Sequence, residues 1–136
     1  MTSISVAVKI WAKTVAMNAI LWGIGAAFKG EITGAFASIA FLIGGFIVTL
    51  PLLMLVTPLV KVSTCLPYGI PAKTAWLTFC LTVLIIIIYA VASAIIDNSV
   101  FKEGSIINLL MASTLGGLLF AVLTTLKSLK KLYSGV

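Results

Sequence analysis

Histidine and arginine are absent from the 136 residues, and the only acids are Glu31, Asp97 and Glu103. Without histidine there is no Ser–His–Asp or Cys–His relay and no imidazole metal site. Cys65 and Cys80 are the only cysteines and stand far outside a CxxC spacing. One falls in a loop-like segment and the other in an apolar run, so both read as free thiols. No glycine-rich phosphate loop occurs. The expectation is a non-enzymatic chain with no catalytic residues, no metal and no cofactor.

Charge of either sign is scarce. Charged residues make up 9% of the chain and apolar ones 62%, where a soluble globular protein carries about 25% and roughly 45–50%. A domain this small cannot hide that much apolar side chain from water, because more than half of its surface must face solvent. Its solvent is therefore lipid, and nothing in the chain leaves room for a second domain.

Four apolar stretches are present, separated by turn signals. A spanning helix needs about 20 mostly apolar residues. The third stretch, 74–96, contains four consecutive isoleucines and stops at Asp97-Asn98-Ser99. The fourth, 105–126, closes on Lys127, Lys130 and Lys131, cations suited to a helix C-terminus. The second, 32–60, is long for an untilted span, roughly 43 Å at about 1.5 Å per residue. It contains Pro51 and Pro58, and Pro51 is expected to kink it by removing a backbone donor and crowding the preceding turn. The hydroxyls of Thr49 and Thr57 are placed to satisfy the carbonyls that the prolines free.

The first stretch, 4–28, is comfortable as a span only if it includes Lys9 and Lys13. The two share a helical face, from which both can snorkel to the headgroups while Trp11 sits in the aromatic belt. Residues 1–13 then either lie on the membrane surface or begin the span. A cleaved signal peptide is the rival reading, and the start at Met1 favours a retained helix. Residues 61–73, with Pro67, Gly69 and Pro71, read as a loop, and 127–136 as a tail.

With four spans, the N-terminus, the middle loop and the C-terminus share one side. That side holds Lys9, Lys13, Lys61, Lys73, Lys127, Lys130 and Lys131 and no acid; Lys29, Lys102 and all three acids fall on the other. Seven basic residues against two place both termini in the cytoplasm, most simply of a bacterial inner membrane. The lysines read as contacts to anionic lipid headgroups and not to nucleic acid.

Small residues mark packing faces. Ala12, Ala16, Ala19, Gly23, Ala26 and Gly30 recur at alternating gaps of four and three along the first helix, and Ser113, Gly117, Ala121 and Thr125 recur every four along the last, with Ala112 and Gly116 beside them. Between apolar helices in lipid, association depends on close backbone approach at such positions. Polar residues at depth are the remaining candidates. Asn18, Thr49, Thr82, Ser93 and Thr124 are the ones that would line a pore or touch a ligand, although a helix hydroxyl can equally bond its own backbone. No Asp, Glu, His or Arg falls at mid-membrane in any span, which argues against a proton relay.

The sequence reading is an all-α integral membrane protein, a compact four-helix bundle with both termini inside and a long second helix kinked at Pro51. Its first functional expectation is a non-catalytic structural or interaction subunit, oligomeric or joined to another membrane subunit, with scope for a soluble cytoplasmic partner. An oligomeric ion channel or membrane-perturbing pore is the alternative. A lipid or small-molecule carrier, contacted through Asn18 and the Tyr68–Lys73 segment, is the third.

Overall fold

A computed structural model describes residues 2–28, 32–95 and 106–135; within the helices, the side chains at 26, 27, 32–35, 37, 38, 40, 41, 48, 92, 93 and 106–110 are not described. The described chain is all-helical, with α1 Ser3–Phe28, α2 Ile32–Cys65, α3 Ile70–Ile95 and α4 Ile106–Tyr133. Among the described residues, Ser3–Gly25, Ile70–Val91 and Met111–Tyr133 are each long and apolar enough to cross a membrane, and Thr49–Cys65 is a shorter apolar stretch. Glu31, Asp97, Glu103, Lys29, Lys102 and Gly30, and the connections that hold them, lie outside the described residues, as do the side chains of Ala26 and Ser93.

The helices reach further than the apolar pattern alone suggests. Thr2 caps α1: its carbonyl accepts from the Val6 amide at 3.2 Å and its hydroxyl from the Ser5 amide at 3.3 Å. Lys9 and Lys13 thus sit on one continuous helix and not on a separate surface segment. The expected loop 61–73 shrinks to a four-residue turn, because α2 runs to Cys65 and α3 begins at Ile70. Pro71 fits there because a first-turn residue needs no amide donor; the Lys73 amide makes the opening bond, to the Gly69 carbonyl at 3.0 Å. The helix α2 continues through both Pro51 and Pro58.

The expected tail 127–136 is mostly helix. Beyond Lys127, Leu129 is fully buried and Leu132 and Tyr133 pack on the core, while Lys127, Lys130 and Lys131 are exposed. This apolar stripe at helical spacing holds the last turns in place. Gly135 then ends the helix at φ +69°, a left-handed cap that glycine adopts without a Cβ penalty.

Each helix packs against its neighbours in chain order, and α4 closes back on α1. The contacts of α1 with α2 and with α4 are extensive; those of α3 are sparser, and α2 against α3 is the sparsest neighbouring pair. Burial is concentrated at the end carrying both termini and the α2–α3 turn. There Val6, Ala7 and Ile10 meet Val56 and Val60, Leu77 and Leu81, and Leu118, Ala121, Val122 and Leu129. No described residue of α2 before Val56, or of α3 beyond Leu81, is buried. The space among the four helices is filled at this end and opens beyond it.

Candidate functional site

Beyond the packed end lies a partly open cleft of about 640 Å³, lined from all four helices. Its walls include Trp11, Val15, Asn18 and Trp22 of α1, Gly44, Gly45, Thr49 and Leu52 of α2, Leu84, Ile85, Ile88 and Tyr89 of α3, and Thr114 and Leu118 of α4. The volume lies within the roughly 300–1,000 Å³ of ordinary small-molecule sites.

Small residues set the spacing of the cleft's near walls. Gly45 brings α2 against α1: a Cβ there would stand 3.2 Å from Val15 Cγ1. Trp11 lies alongside, its ring edge-on to Phe46 at 5.1 Å between centroids, and its Nε1 donates to Thr49 Oγ1 at 2.9 Å. Trp11 is therefore an interhelical residue, its indole N–H finding its acceptor on α2. Thr49 in turn donates to the Gly45 carbonyl, and Thr57 donates to that of Leu53 at 2.8 Å. Both hydroxyls bond the carbonyl four residues back and not those of Ile47 and Met54, which Pro51 and Pro58 leave without an amide donor.

On α4, Ser113, Gly117, Ala121 and Thr125 form the face towards α1. Ser113 Oγ donates to Asn18 Oδ1 at 2.5 Å, and Asn18 Nδ2 donates to Thr114 Oγ1 at 3.2 Å. Tyr89 Oη shares a 2.7 Å hydrogen bond with the same Thr114 hydroxyl. One amide thus ties α1 to α4, and the Thr114 hydroxyl extends the tie to α3. One turn along, a Cβ on Gly117 would lie 3.0 Å from the Thr14 carbonyl oxygen and 3.6 Å from Met17 Cβ. Ala121 is fully buried.

The α1 residues in these contacts are Lys13, Thr14, Met17 and Asn18, which lie on roughly the opposite side of the helix from Ala12, Ala16 and Gly23 at about 100° per residue. Of that row Ala19 is buried at the cleft wall, and Ala12, Ala16 and Gly23 are half-buried. The face that α1 presents to α4 is therefore not the small-residue row: the glycine lies on α4, and α1 supplies backbone and polar side chains.

Lys13 has partners within the protein: its ammonium donates to the Thr124 carbonyl at 3.2 Å, Thr124 Oγ1 at 3.0 Å and Thr125 Oγ1 at 3.3 Å. Three donors meet three acceptors, and Lys9, one turn earlier, is exposed. Lys73 behaves similarly at the packed end. It donates to the Thr64 carbonyl at 2.9 Å and lies 5.6 Å from the centre of the Tyr133 ring, where an ammonium is attracted both by a helix C-terminal carbonyl and by an aromatic face. Tyr133 Oη and the buried Ser63 Oγ share a 2.9 Å hydrogen bond. Sequence reasoning missed this cluster, although Leu129, Leu132 and Tyr133 carried its signal as an apolar spacing among lysines.

Of the pore candidates whose side chains are described, Asn18 and Thr49 border the cleft, and Thr82 and Thr124 do not. Thr82 donates to the Thr78 carbonyl at 2.8 Å, one rung of a ladder in which Thr78 bonds Thr74 and Thr74 bonds Ile70. Thr124 is exposed, bonding the Phe120 carbonyl at 2.9 Å and receiving Lys13. Cys65 and Cys80 are free thiols, and the Tyr68–Lys73 segment lies at the packed end, away from the cleft.

No protein-family model, curated protein or solved structure matches the chain.

Proposed function

We propose that the chain is a non-catalytic, four-span protein of a bacterial cytoplasmic membrane, with both termini inside, acting as an interaction subunit of a membrane assembly. The fourth span in this reading is α2, whose 34 residues exceed the ~20 a bilayer core requires. One observation carries the role. The exposed lysines Lys9, Lys61, Lys127, Lys130 and Lys131 all sit on the tightly packed end, so a rigid basic platform faces the cytoplasm where anionic headgroups or an acidic partner surface meet it. The polar side chains between helices act as fixed cross-links, which suits a scaffold better than a conducting path.

The test is photo-crosslinking in native membranes from benzoylphenylalanine placed at Lys61 and at Lys130. A discrete protein adduct, whether to a second copy or to another chain, is the expected result; adducts to lipid alone would overturn the role. Ion flux from proteoliposomes that vanishes in Asn18→Leu would overturn it in favour of the pore. The carrier reading gains support from the apolar cleft.

A further inference from the structure

We propose that the cleft is a binding site for one long aliphatic chain of the lipid class, entering sideways between α2 and α3. The inference rests on the membrane placement above but not on the subunit role.

The occupant follows from the wall. Trp11, Thr14, Asn18, Thr49, Tyr89 and Thr114 are each hydrogen-bonded within the protein, so these polar groups of the wall are already engaged. Among the described residues, no lysine or acid lines the cleft. A water filling it would lack the two to four polar partners that ordered water needs, and an ion would find no ligand. A partly open apolar cleft of about 640 Å³ gains contacts when an apolar group fills it. A neutral, flexible aliphatic chain matches both the surface and the surroundings. At this depth the surrounding medium consists of such chains.

The route follows from the packing. The helices α2 and α3 share the sparsest neighbouring contact, and their buried residues all lie on the turn side of Val56 and Leu81. Beyond that level both helices line the cleft, α2 through Gly44 and Leu52 and α3 through Leu84 and Ile88. The wall is also thin at Gly44, where an added Cβ would meet nothing within 4 Å. Glycine there leaves open space that a larger side chain would fill without a clash at its first carbon. Gly116 on α4 is likewise open to a Cβ, but it is exposed and lies outside the cleft lining, so it serves as the matched control.

The test uses the full chain carrying Trp76→Phe in lipid nanodiscs, which leaves Trp11 and Trp22 at the cleft as the fluorophores. Quenching is titrated in two arms, with dibrominated phosphatidylcholine built into the disc and with dibrominated free fatty acid added to it. Saturable quenching in at least one arm is expected. It should be lost in Gly44→Leu and in Ile88→Phe, which fill the cleft from α2 and from α3, and kept in Gly116→Leu. The arm that saturates separates a phospholipid tail from a free acid, and either outcome supports the shared chain chemistry. If Gly44→Leu fails to insert, Ile88→Phe decides the matter. Quenching that never saturates, that is identical in all variants, or that is absent because a second copy fills the cleft would overturn the proposal. A crosslinking result against the subunit role leaves this readout untouched, so the two can fail separately.

Discussion

Lys13 on α1 and Thr125 on α4 meet inside the bundle, the ammonium 3.3 Å from a hydroxyl oxygen whose residue is only 1% exposed. With the Thr124 carbonyl and hydroxyl at 3.2 and 3.0 Å, the cation is held entirely by neutral oxygens. Such a group is costly to strip of one acceptor, because the charge stays while a partner goes. Thr125→Val should therefore destabilise the folded bundle by about 1–2 kcal/mol, and Lys13→Met should remove most of that penalty when the two are combined. A double-mutant cycle on unfolding in mixed micelles reads the coupling, expected at about 1 kcal/mol. No coupling would mean that Lys13 snorkels to the headgroups after all.

Two adjacent glycines are expected to behave oppositely. Gly117→Ala drives a methyl group to 3.0 Å from the Thr14 carbonyl oxygen, and that oxygen belongs to backbone and cannot swing away. Separating α1 from α4 should cost about 1–3 kcal/mol. Gly116→Ala meets open space and should be neutral or stabilising by up to about 1 kcal/mol, the difference in helix propensity. Thermal unfolding of both variants in one detergent is the comparison. Equal effects would show that α1 and α4 do not approach at this point.

Much of this architecture was legible in the residues. Helix existence followed from apolar length, and the row Ser113–Gly117–Ala121–Thr125 pointed to a face that the structure lays on α1. The misreadings have a common cause: composition marks where lipid begins but not where a helix stops. Lys127, Lys130 and Lys131 look like the start of a tail because they are charged, yet buried Leu129 and half-buried Tyr133 on the other side of the same turns keep the helix going. The same holds at 61–65, where fully buried Ser63 is tied to Tyr133. The interhelical partners of Trp11 and Lys13 are not legible either, because neither Thr49 nor Thr124 announces in sequence that it stands opposite. The cleft itself was not legible, since it depends on how far α3 stands from α2.

At the packed end, Tyr133 combines a hydroxyl bond to Ser63, a ring beneath Lys73 and contact with the core. Tyr133→Phe removes only the first and should cost about 1 kcal/mol. Tyr133→Ala removes all three and should cost about 3 kcal/mol or more. Limited proteolysis in detergent gives a second measure: the last helical turns should become cleavable beyond Lys127 in the alanine variant and stay protected in the phenylalanine one. Equal protection in both would mean that Leu129 alone holds the end of α4.

The natural cysteines offer a test of orientation without engineering. Cys65 is exposed at the last residue of α2, beside the turn, whereas Cys80 is half-buried in the middle of α3. With both termini inside, a membrane-impermeant maleimide should leave Cys65 unlabelled in intact spheroplasts and label it in inside-out vesicles. Cys65→Ser should abolish the signal, because Cys80 lies at lipid depth and beyond the reagent's reach. Labelling of Cys65 from the outside would invert the topology. The basic platform of Lys61, Lys127, Lys130 and Lys131 would then face away from the anionic leaflet that attracts it, and the interaction role would fall with the orientation.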